Sequence, residues 1–218
     1  MRITSGGDLL VGTTSGSSHI ITKAVAVGTS PILQIYGNNT GTNFFNCDGN
    51  SSSATNTGMR IGQVGATGRS INAGGTINAS GADYAEYMTK AVTDIIEKGD
   101  VVGVNSNGML TNIFNDAISF VVKSTDPSYV GADKWGVNLE GEELEKARQN
   151  VDRIAFSGQV PCNVFNANVG DYIIPINVNG KIKGQAISNP TFEQYQKSVG
   201  KVWKIMDDGR AWIAIKIG

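Results

Sequence analysis

Hydrophobic positions follow two different patterns along this chain. From residue 1 to residue 79 they occur as short β-branched runs, such as Ile20–Val27 and Ile32–Tyr36, which end at Gly, Asn, Ser or Thr. Such runs are typical of strands, but they are too thin for one chain to close a core around them. We therefore expect residues 1–79 to form a Gly/Ser/Thr/Asn-rich β shaft or virion-attachment region in which three copies share one apolar interior. A loose Gly/Ser linker is the alternative interpretation of the same composition.

After residue 80 the pattern changes to strands separated by turn residues, which makes the chain mainly β. Residues 99–110 and 170–182 echo each other, because each has a Gly-Asp turn, an apolar run, an Asn-Gly turn and a return run. Asn-Gly supplies the positive φ angles of tight turns, so both segments predict hairpins. Residues 207–210, Asp-Asp-Gly-Arg, predict a third. With the remaining apolar runs, the hairpins indicate a small β-barrel or sandwich domain over residues 80–218. The remaining runs are 117–123, 153–164, 199–206 and 211–217.

Two short helices are expected within this domain. Residues 142–150 combine good helix formers with apolar residues at helical spacing. Residues 189–197 begin with Asn189 as the expected cap and Pro190 in the first turn. Between strands, residues 126–136 are interpreted as a long loop that exposes two aromatic side chains.

Charge is distributed as unevenly as hydrophobicity. Of the 37 charged residues, six precede Asp83 and none of these is Glu. The net charge of −1 and the pI near 5.8 give no sign of the basic stripe that binds nucleic acid. No apolar run reaches the ~18 residues of a membrane span, and the N-terminus lacks the pattern of a signal peptide. We expect a soluble chain with no nucleic-acid partner, no membrane insertion and no Sec export.

The two cysteines and the single histidine do not indicate a metal site or a catalytic site. Cys47 and Cys162 fall in different parts of the chain without a metal-ligand spacing, so they are interpreted as unpaired thiols of a protein made in a reducing cytosol. His19, the single histidine, lies among Gly and Ser and is interpreted as a surface loop residue. We therefore expect no metal, no cofactor and no Ser-His-Asp triad.

The change of pattern coincides with Ser80–Met88, Ser-Gly-Ala-Asp-Tyr-Ala-Glu-Tyr-Met. Its two carboxylates, Asp83 and Glu86, could divide the acid and base roles of peptide-bond hydrolysis if their environments separated their pKa values. In a flat strand, however, a spacing of three places them on opposite faces. They would share a target only in a turn, in a helical start or across the chains of a trimer.

Asp-Tyr-Ala-Glu-Tyr at residues 83–87, after a linker of small residues, resembles the start of C-terminal domains of the peptidase G2 type. These domains are intramolecular chaperones that end bacteriophage tail-fibre, tailspike and neck-appendage proteins. Residues 1–12, which predict a hairpin around a Gly-Gly-Asp turn, are similar to segments found just ahead of such domains in tail fibres. The resemblance implies self-cleavage near Ala82–Asp83, with Asp83 and Glu86 as the catalytic residues, after the domain has assisted trimer assembly.

The favoured interpretation is a structural virion protein, a trimeric tail-fibre or tail-tip component that takes part in host attachment. Its expected partners are two further copies of itself, other phage tail proteins and a host-surface glycan or protein, and its expected place is the virion tail after synthesis in the host cytoplasm. On this interpretation Asp83 and Glu86 are interface or turn residues, and the chain stays whole.

A self-cleaving chaperone domain that assists fibre trimerisation is the alternative, with no external substrate. A polysaccharide-degrading tailspike ranks last, because no cluster of paired carboxylates and aromatic residues is evident in the sequence.

Overall fold

The computed structural model describes residues 2–3, 9–10, 68, 70–71, 73–91, 95–135, 139 and 141–216. The chain forms two compact units, residues 1–48 and 49–218. In the first unit, strand β1 (Arg2–Ile3) pairs antiparallel with β2 (Leu9–Leu10), which confirms the hairpin predicted there. Cys47, His19 and most of the expected shaft lie outside the described residues. The trimeric shaft and the division between residues 79 and 80 therefore stay predictions.

The described part of the second unit is built from strands, two short helices and one 3₁₀ turn. The strands are β3 (Asp83–Thr89), β4 (Val101–Asn105), β5 (Leu110–Thr111), β6 (Ala117–Lys123), β7 (Pro127–Gly131), β8 (Val151–Cys162), β9 (Tyr172–Val178), β10 (Lys181–Ile187), β11 (Gly200–Ile205) and β12 (Ala211–Ile215). The helices are α1 (Gly141–Arg148) and α2 (Phe192–Lys197), and the 3₁₀ turn covers Phe114–Asp116. The mainly β class with two short helices is thus confirmed. Within the described segments, no helix is long and apolar enough to cross a bilayer.

Ten strands form one sheet in the order β10-β9-β11-β12-β8-β6-β4-β5, with β3 attached to β8 and β7 attached to β3. All of these pairings are antiparallel except β3–β7, which is parallel. One isolated bridge between Ile113 and Lys181 connects the two ends of the path. The sheet does not close into a continuous barrel and is sandwich-like, which selects the second of the two architectures expected from the sequence.

Buried side chains form two clusters, because neighbouring residues of a strand point to opposite faces of the sheet. Val101 belongs to the larger cluster, with Val160, Ile173 and Ile213, whereas the adjacent Val102 packs with the second. The second cluster is Ile96, Val102, Leu110 and Ile154. Strand β4 is therefore apolar on both sides, and the sheet is folded over itself rather than exposed on one face.

The three predicted hairpins are present. Asn179 and Gly180, with φ of 52° and 83°, form a two-residue turn between β9 and β10, where Val178 pairs with Lys181. The β4–β5 hairpin turns at Gly108, whose φ is 71°, and the Asn105 carboxamide accepts hydrogen bonds from two backbone N–H groups of the turn. Residues 206–210 join β11 to β12, with Gly209 at a φ of 85°.

Two local expectations need correction. Helix α2 is capped by Thr191 and not by Asn189: the Thr191 hydroxyl accepts from Gln194 N–H, and the Gln194 side chain accepts from Thr191 N–H. This reciprocal capping box satisfies two backbone groups, and it places Pro190 before the helix rather than in its first turn. Residues 127–131, expected within a loop, are strand β7. A short partner strand far away in the sequence, β3, supplies the pairing that local propensity did not indicate.

The turn at Gly180 gives a direct test of the hairpin assignment. Replacing Gly180 with Val should lower the free energy of unfolding by about 1–2 kcal/mol, because a β-branched residue resists positive φ. Gly180→Asn is the matched control, since Asn tolerates this conformation and already occupies it at position 179. Chemical denaturation of both variants measures the difference. Equal stability of the Val and Asn variants would contradict the assignment.

Candidate functional site

The predicted motif forms strand β3, which lies between β7 and β8. Its pairing shifts by one residue between Tyr84 and Ala85 opposite β8, and between Asp83 and Tyr84 opposite β7. Both neighbouring strands thus carry an extra residue beside the start of β3. Such bulges re-aim side chains and are common next to functional sites.

The strand places its two carboxylates on opposite faces. Asp83 and Ala85 are buried, whereas Tyr84 is exposed and donates a hydrogen bond of 2.6 Å from its hydroxyl to Glu86 Oε1. This bond raises the pKa of Tyr84. Within one copy of the chain, Glu86 and Asp83 therefore do not face each other. This agrees with their spacing of three, which places them on opposite faces of a strand. Whether the two residues act together across chains stays a prediction.

Asp83 is a buried carboxyl without hydrogen-bond partners. Its side chain is 2 % exposed, and neither carboxyl oxygen has a hydrogen bond within the part of the chain that the structure describes. Burial raises the pKa of Asp83 above its ordinary value of 3.8, and Asp126 adds to this increase, while Ser124 and Arg153 oppose it. The Ser124 hydroxyl, which lies close enough to the Asp83 carboxyl to lower its pKa, is itself buried and makes no hydrogen bond of standard geometry within the described segments. A carboxyl in these surroundings favours the protonated form, which can donate a proton.

The backbone just before Asp83 is held on both sides. Ala82 N–H donates to the Asp126 carbonyl at 3.2 Å, and the Ala82 carbonyl accepts from Gln159 N–H at 3.1 Å. The Ser128 hydroxyl donates to the Gly81 carbonyl. The peptide bond between Ala82 and Asp83 is thus fixed between two segments of the protein, with its carbonyl polarised by a backbone donor.

Two glycines permit this close fit. A Cβ atom at Gly81 would overlap the backbone of Asp126 and Pro127, and a Cβ atom at Gly158 would overlap the Ala82 carbonyl oxygen. Gly158 also has a φ of 103°, which L-residues rarely adopt. Both positions therefore require glycine if residues 81–83 are to lie where they do.

A cavity of about 160 Å³ lies beside this peptide bond. It is lined by Ser80, Ala82, Thr125, Asp126, Gln159, Pro161 and Trp212. Trp212 donates from its indole N–H to Gln159 Oε1 at 2.5 Å, which anchors the residue whose backbone holds the Ala82 carbonyl. The cavity is large enough for water and has polar groups to bind it.

The far end of β3 has a packing role. The Tyr87 ring meets Trp135 edge to face at 6.4 Å, and the Arg148 guanidinium lies 5.4 Å from the Tyr87 ring centre. Arg148 also forms an ion pair with Asp133. Trp135 is half-buried and its ring packs against Tyr87 of β3, which corrects its expected exposure, whereas Tyr129 is exposed as expected.

A second cleft lies at the β11–β12 turn and was not anticipated from the sequence. It is lined by Lys204, Met206, Asp207, Asp208 and Trp212, and its volume is about 460 Å³. Arg210 donates to the Asp208 carboxylate at 2.7 Å and lowers its pKa. Asp208 is therefore not suited to act as a general acid, as a glycosidase requires of one carboxyl.

The remaining candidate chemistry is sparse. Cys162 is a free thiol that is fully buried, and burial raises its pKa to about 12. It is therefore a core residue without thiolate character at neutral pH. No group of three or more His, Cys, Asp or Glu side chains is placed to bind a metal ion in the described ranges.

Comparisons with known proteins place few constraints on this site. No protein-family model and no curated protein sequence matches the chain. Among solved structures, the chain is similar to the pre-mature bacteriophage phi29 gene product 12, with 14 % sequence identity and a TM-score of 0.44. The match covers 70 % of this chain and 24 % of that protein, so this chain spans about a quarter of its length. A likeness this distant assigns neither fold nor function.

The buried Asp83 predicts a pH dependence of stability. Because its pKa is higher in the folded than in the unfolded chain, its contribution to stability is full below about pH 4 and is lost as the pH rises through the folded-state pKa. Asp83→Asn cannot ionise, so its melting temperature relative to the parent should be higher at pH 7 than at pH 4. Thermal melts at both pH values measure this difference. Asp116→Asn, at an exposed carboxyl, is the matched control.

A difference for Asp83→Asn that is the same at both pH values, or larger at pH 4, would contradict the raised pKa of the buried Asp83.

Proposed function

We propose that this chain is a structural component of a bacteriophage tail, a tail-fibre or tail-tip protein that acts as a homotrimer in host attachment. The resemblance of residues 83–87 and 1–12 to phage tail-fibre segments motivates this function. The structural observation that supports it is the number of large apolar side chains that are more than half exposed on the second unit. Among them are Phe192 (75 %), Ile118 (73 %), Val169 (66 %), Trp203 (58 %) and Phe165 (57 %). An assembly would bury part of this exposed apolar surface.

The expected partners are further copies of the chain, other phage tail proteins and a host-surface glycan or protein, and the expected location is the virion tail. The cleft at the β11–β12 turn supports a glycan partner, because it combines an aromatic ring, Trp212, with the polar groups of Lys204 and Asp207. Arg210 lowers the pKa of Asp208, so this carboxylate is a poor proton donor. The cleft is therefore suited to binding a sugar rather than to hydrolysing it.

Oligomeric mass tests the structural function. Native mass spectrometry of the full chain at micromolar concentration should give three times the mass of one chain, 23.0 kDa, because the thin apolar runs of residues 1–79 need a shared interior. A dilution series distinguishes a stable trimer from transient association. A stable monomer across the series would contradict the proposal.

Self-cleavage between Ala82 and Asp83 is a second candidate function, favoured by one specific observation. The buried, unpartnered Asp83 carboxyl belongs to the residue that would supply the leaving nitrogen, and its raised pKa suits it to protonate that atom. The cut would release Asp83–Gly218 after this domain has assisted trimer assembly. A structural fibre protein and a self-cleaving domain are compatible, since the cut would follow assembly.

A denaturing gel of freshly made full-length protein tests this second function. If the chain cuts itself, a fragment with Asp83 at its N-terminus should accumulate with time, as intact mass and N-terminal sequencing can verify. Asp83→Asn should yield none, because the amide cannot donate a proton at the required acidity. If the parent stays whole on prolonged incubation, the domain is retained as structure and Asp83 has no role in cleavage.

A further inference from the structure

Hydrolysis of a peptide bond by carboxylates needs a base as well as an acid, and Glu86 does not lie on the face of β3 that buries Asp83. A second carboxylate nearby is Asp126, in the loop between β6 and β7. Its backbone carbonyl accepts the Ala82 N–H at 3.2 Å, so the two residues are neighbours across the chain. Asp126 thus stands next to the residue that carries the carbonyl group to be attacked.

The side of Ala82 that faces Asp126 is accessible to water. Asp126 and Ala82 are both exposed, and both line the cavity of about 160 Å³. Asp126 is exposed, whereas Asp83 is buried, so the two carboxyls have the different surroundings that separate acid from base. The Asp126 charge also contributes to the raised pKa of Asp83, which indicates that the two groups are electrostatically coupled.

Resting on the self-cleavage proposed above, we propose that Asp126, rather than Glu86, is the general base that activates water for hydrolysis of the Ala82–Asp83 bond. Asp83 is the matching general acid, and the backbone N–H of Gln159 binds the carbonyl oxygen. All three groups come from one copy of the chain. The reaction would then need no carboxylate from a neighbouring copy.

Hydrolysis of the Ala82–Asp83 bond would proceed in two proton transfers around one water molecule. The Asp126 carboxylate takes a proton from a water molecule in the cavity, and the hydroxide forms a bond to the Ala82 carbonyl carbon. The Gln159 N–H, 3.1 Å from the carbonyl oxygen, stabilises the negative charge on that oxygen. The Asp83 carboxyl gives its proton to the backbone nitrogen as the C–N bond breaks. One water is consumed, Ala82 ends as a carboxylic acid and Asp83 as an amine, and the proton on Asp126 returns to Asp83 through solvent.

Trp212 has a positioning role in this arrangement. Its indole N–H holds the Gln159 side chain at 2.5 Å, so it fixes the segment that carries the oxyanion donor. It also lines the cavity itself.

The rate of fragment formation in the full-length protein tests the proposal. Asp126→Asn should slow the appearance of Asp83–Gly218 by about 10²-fold or more, since that is the usual contribution of a general base. Asp126→Glu should restore part of the rate, because it returns a carboxylate to the cavity. Asp116→Asn, at an exposed carboxyl remote from the cavity in sequence, should cut like the parent. Thermal melts of each variant verify that it is folded before rates are compared.

Two outcomes would overturn the proposal in different ways. In the first, the parent cuts and folded Asp126→Asn cuts at the parent rate, which shows that Asp126 is not the base. If Glu86→Gln then fails to cut, the catalytic pair is Asp83 and Glu86, acting across chains. If the parent itself never cuts, the self-cleavage function and this inference both fail. Should Asp126→Asn not fold, the rate of folded Asp126→Glu decides: cleavage at the parent rate would overturn the role, whereas slower cleavage would support it, because the longer side chain misplaces the base.

Discussion

The fit of residues 81–83 between two backbone segments is the constraint on which the rest of the site depends. Gly81 lies against residues 126–128 and Gly158 lies against the Ala82 carbonyl, at distances that exclude a side chain on either residue. Strand β3 can pair with β7 and β8 together only because both glycines are present. Since β8 also pairs with β6 and β12, the position of the motif is tied to the centre of the sheet.

Burial of Asp83 is a direct consequence of this fit. The first residue of β3 faces inward beside Ala85, where its carboxyl is removed from water and, within the described ranges, has no hydrogen bond. An unpartnered buried carboxyl opposes folding, and a non-ionisable residue of the same shape would avoid the part of that cost that comes from ionisation. Groups of this kind are characteristic of functional sites, where a perturbed pKa is needed for proton transfer. The stability of the fold therefore gives no reason for an acid at position 83, whereas the proposed proton donation to the Ala82–Asp83 bond would give one.

The hairpins and helix α1 were predictable from the sequence because local chemistry determines them. The hairpins follow from Asn-Gly and Asp-Gly turns, whose φ requirements act within a few residues, and helix α1 follows from helical spacing. The separation of Asp83 from Glu86 was also implied, since alternation along a strand depends on spacing alone. Long-range pairing was not accessible in this way. Strand β7 is short and was interpreted as loop, and its parallel partner lies more than 40 residues earlier in the chain.

The candidate base was missed for the same reason. Asp126 precedes Pro127 in an ordinary turn sequence, and nothing local connects it with residue 82. A signal was nevertheless present: Gly158 and Gly81 have no turn of their own to explain them, and glycine without a turn often marks close approach of another backbone. Without an alignment or a structure, the identity of that other backbone cannot be read from the sequence.

Cleavage at Ala82–Asp83 and release of the domain would be separate events in this fold. After hydrolysis, Ala82 N–H would still face the Asp126 carbonyl, and the Gly81 carbonyl would still accept from Ser128. The new termini would thus remain held by the contacts that position the uncut bond, while β3 would stay paired with β7 and β8 through its own backbone. Separation requires those contacts to break, which a change in the upstream chain during assembly can bring about and hydrolysis alone cannot. On the proposed function, the same close fit would also keep the cut domain in place during assembly.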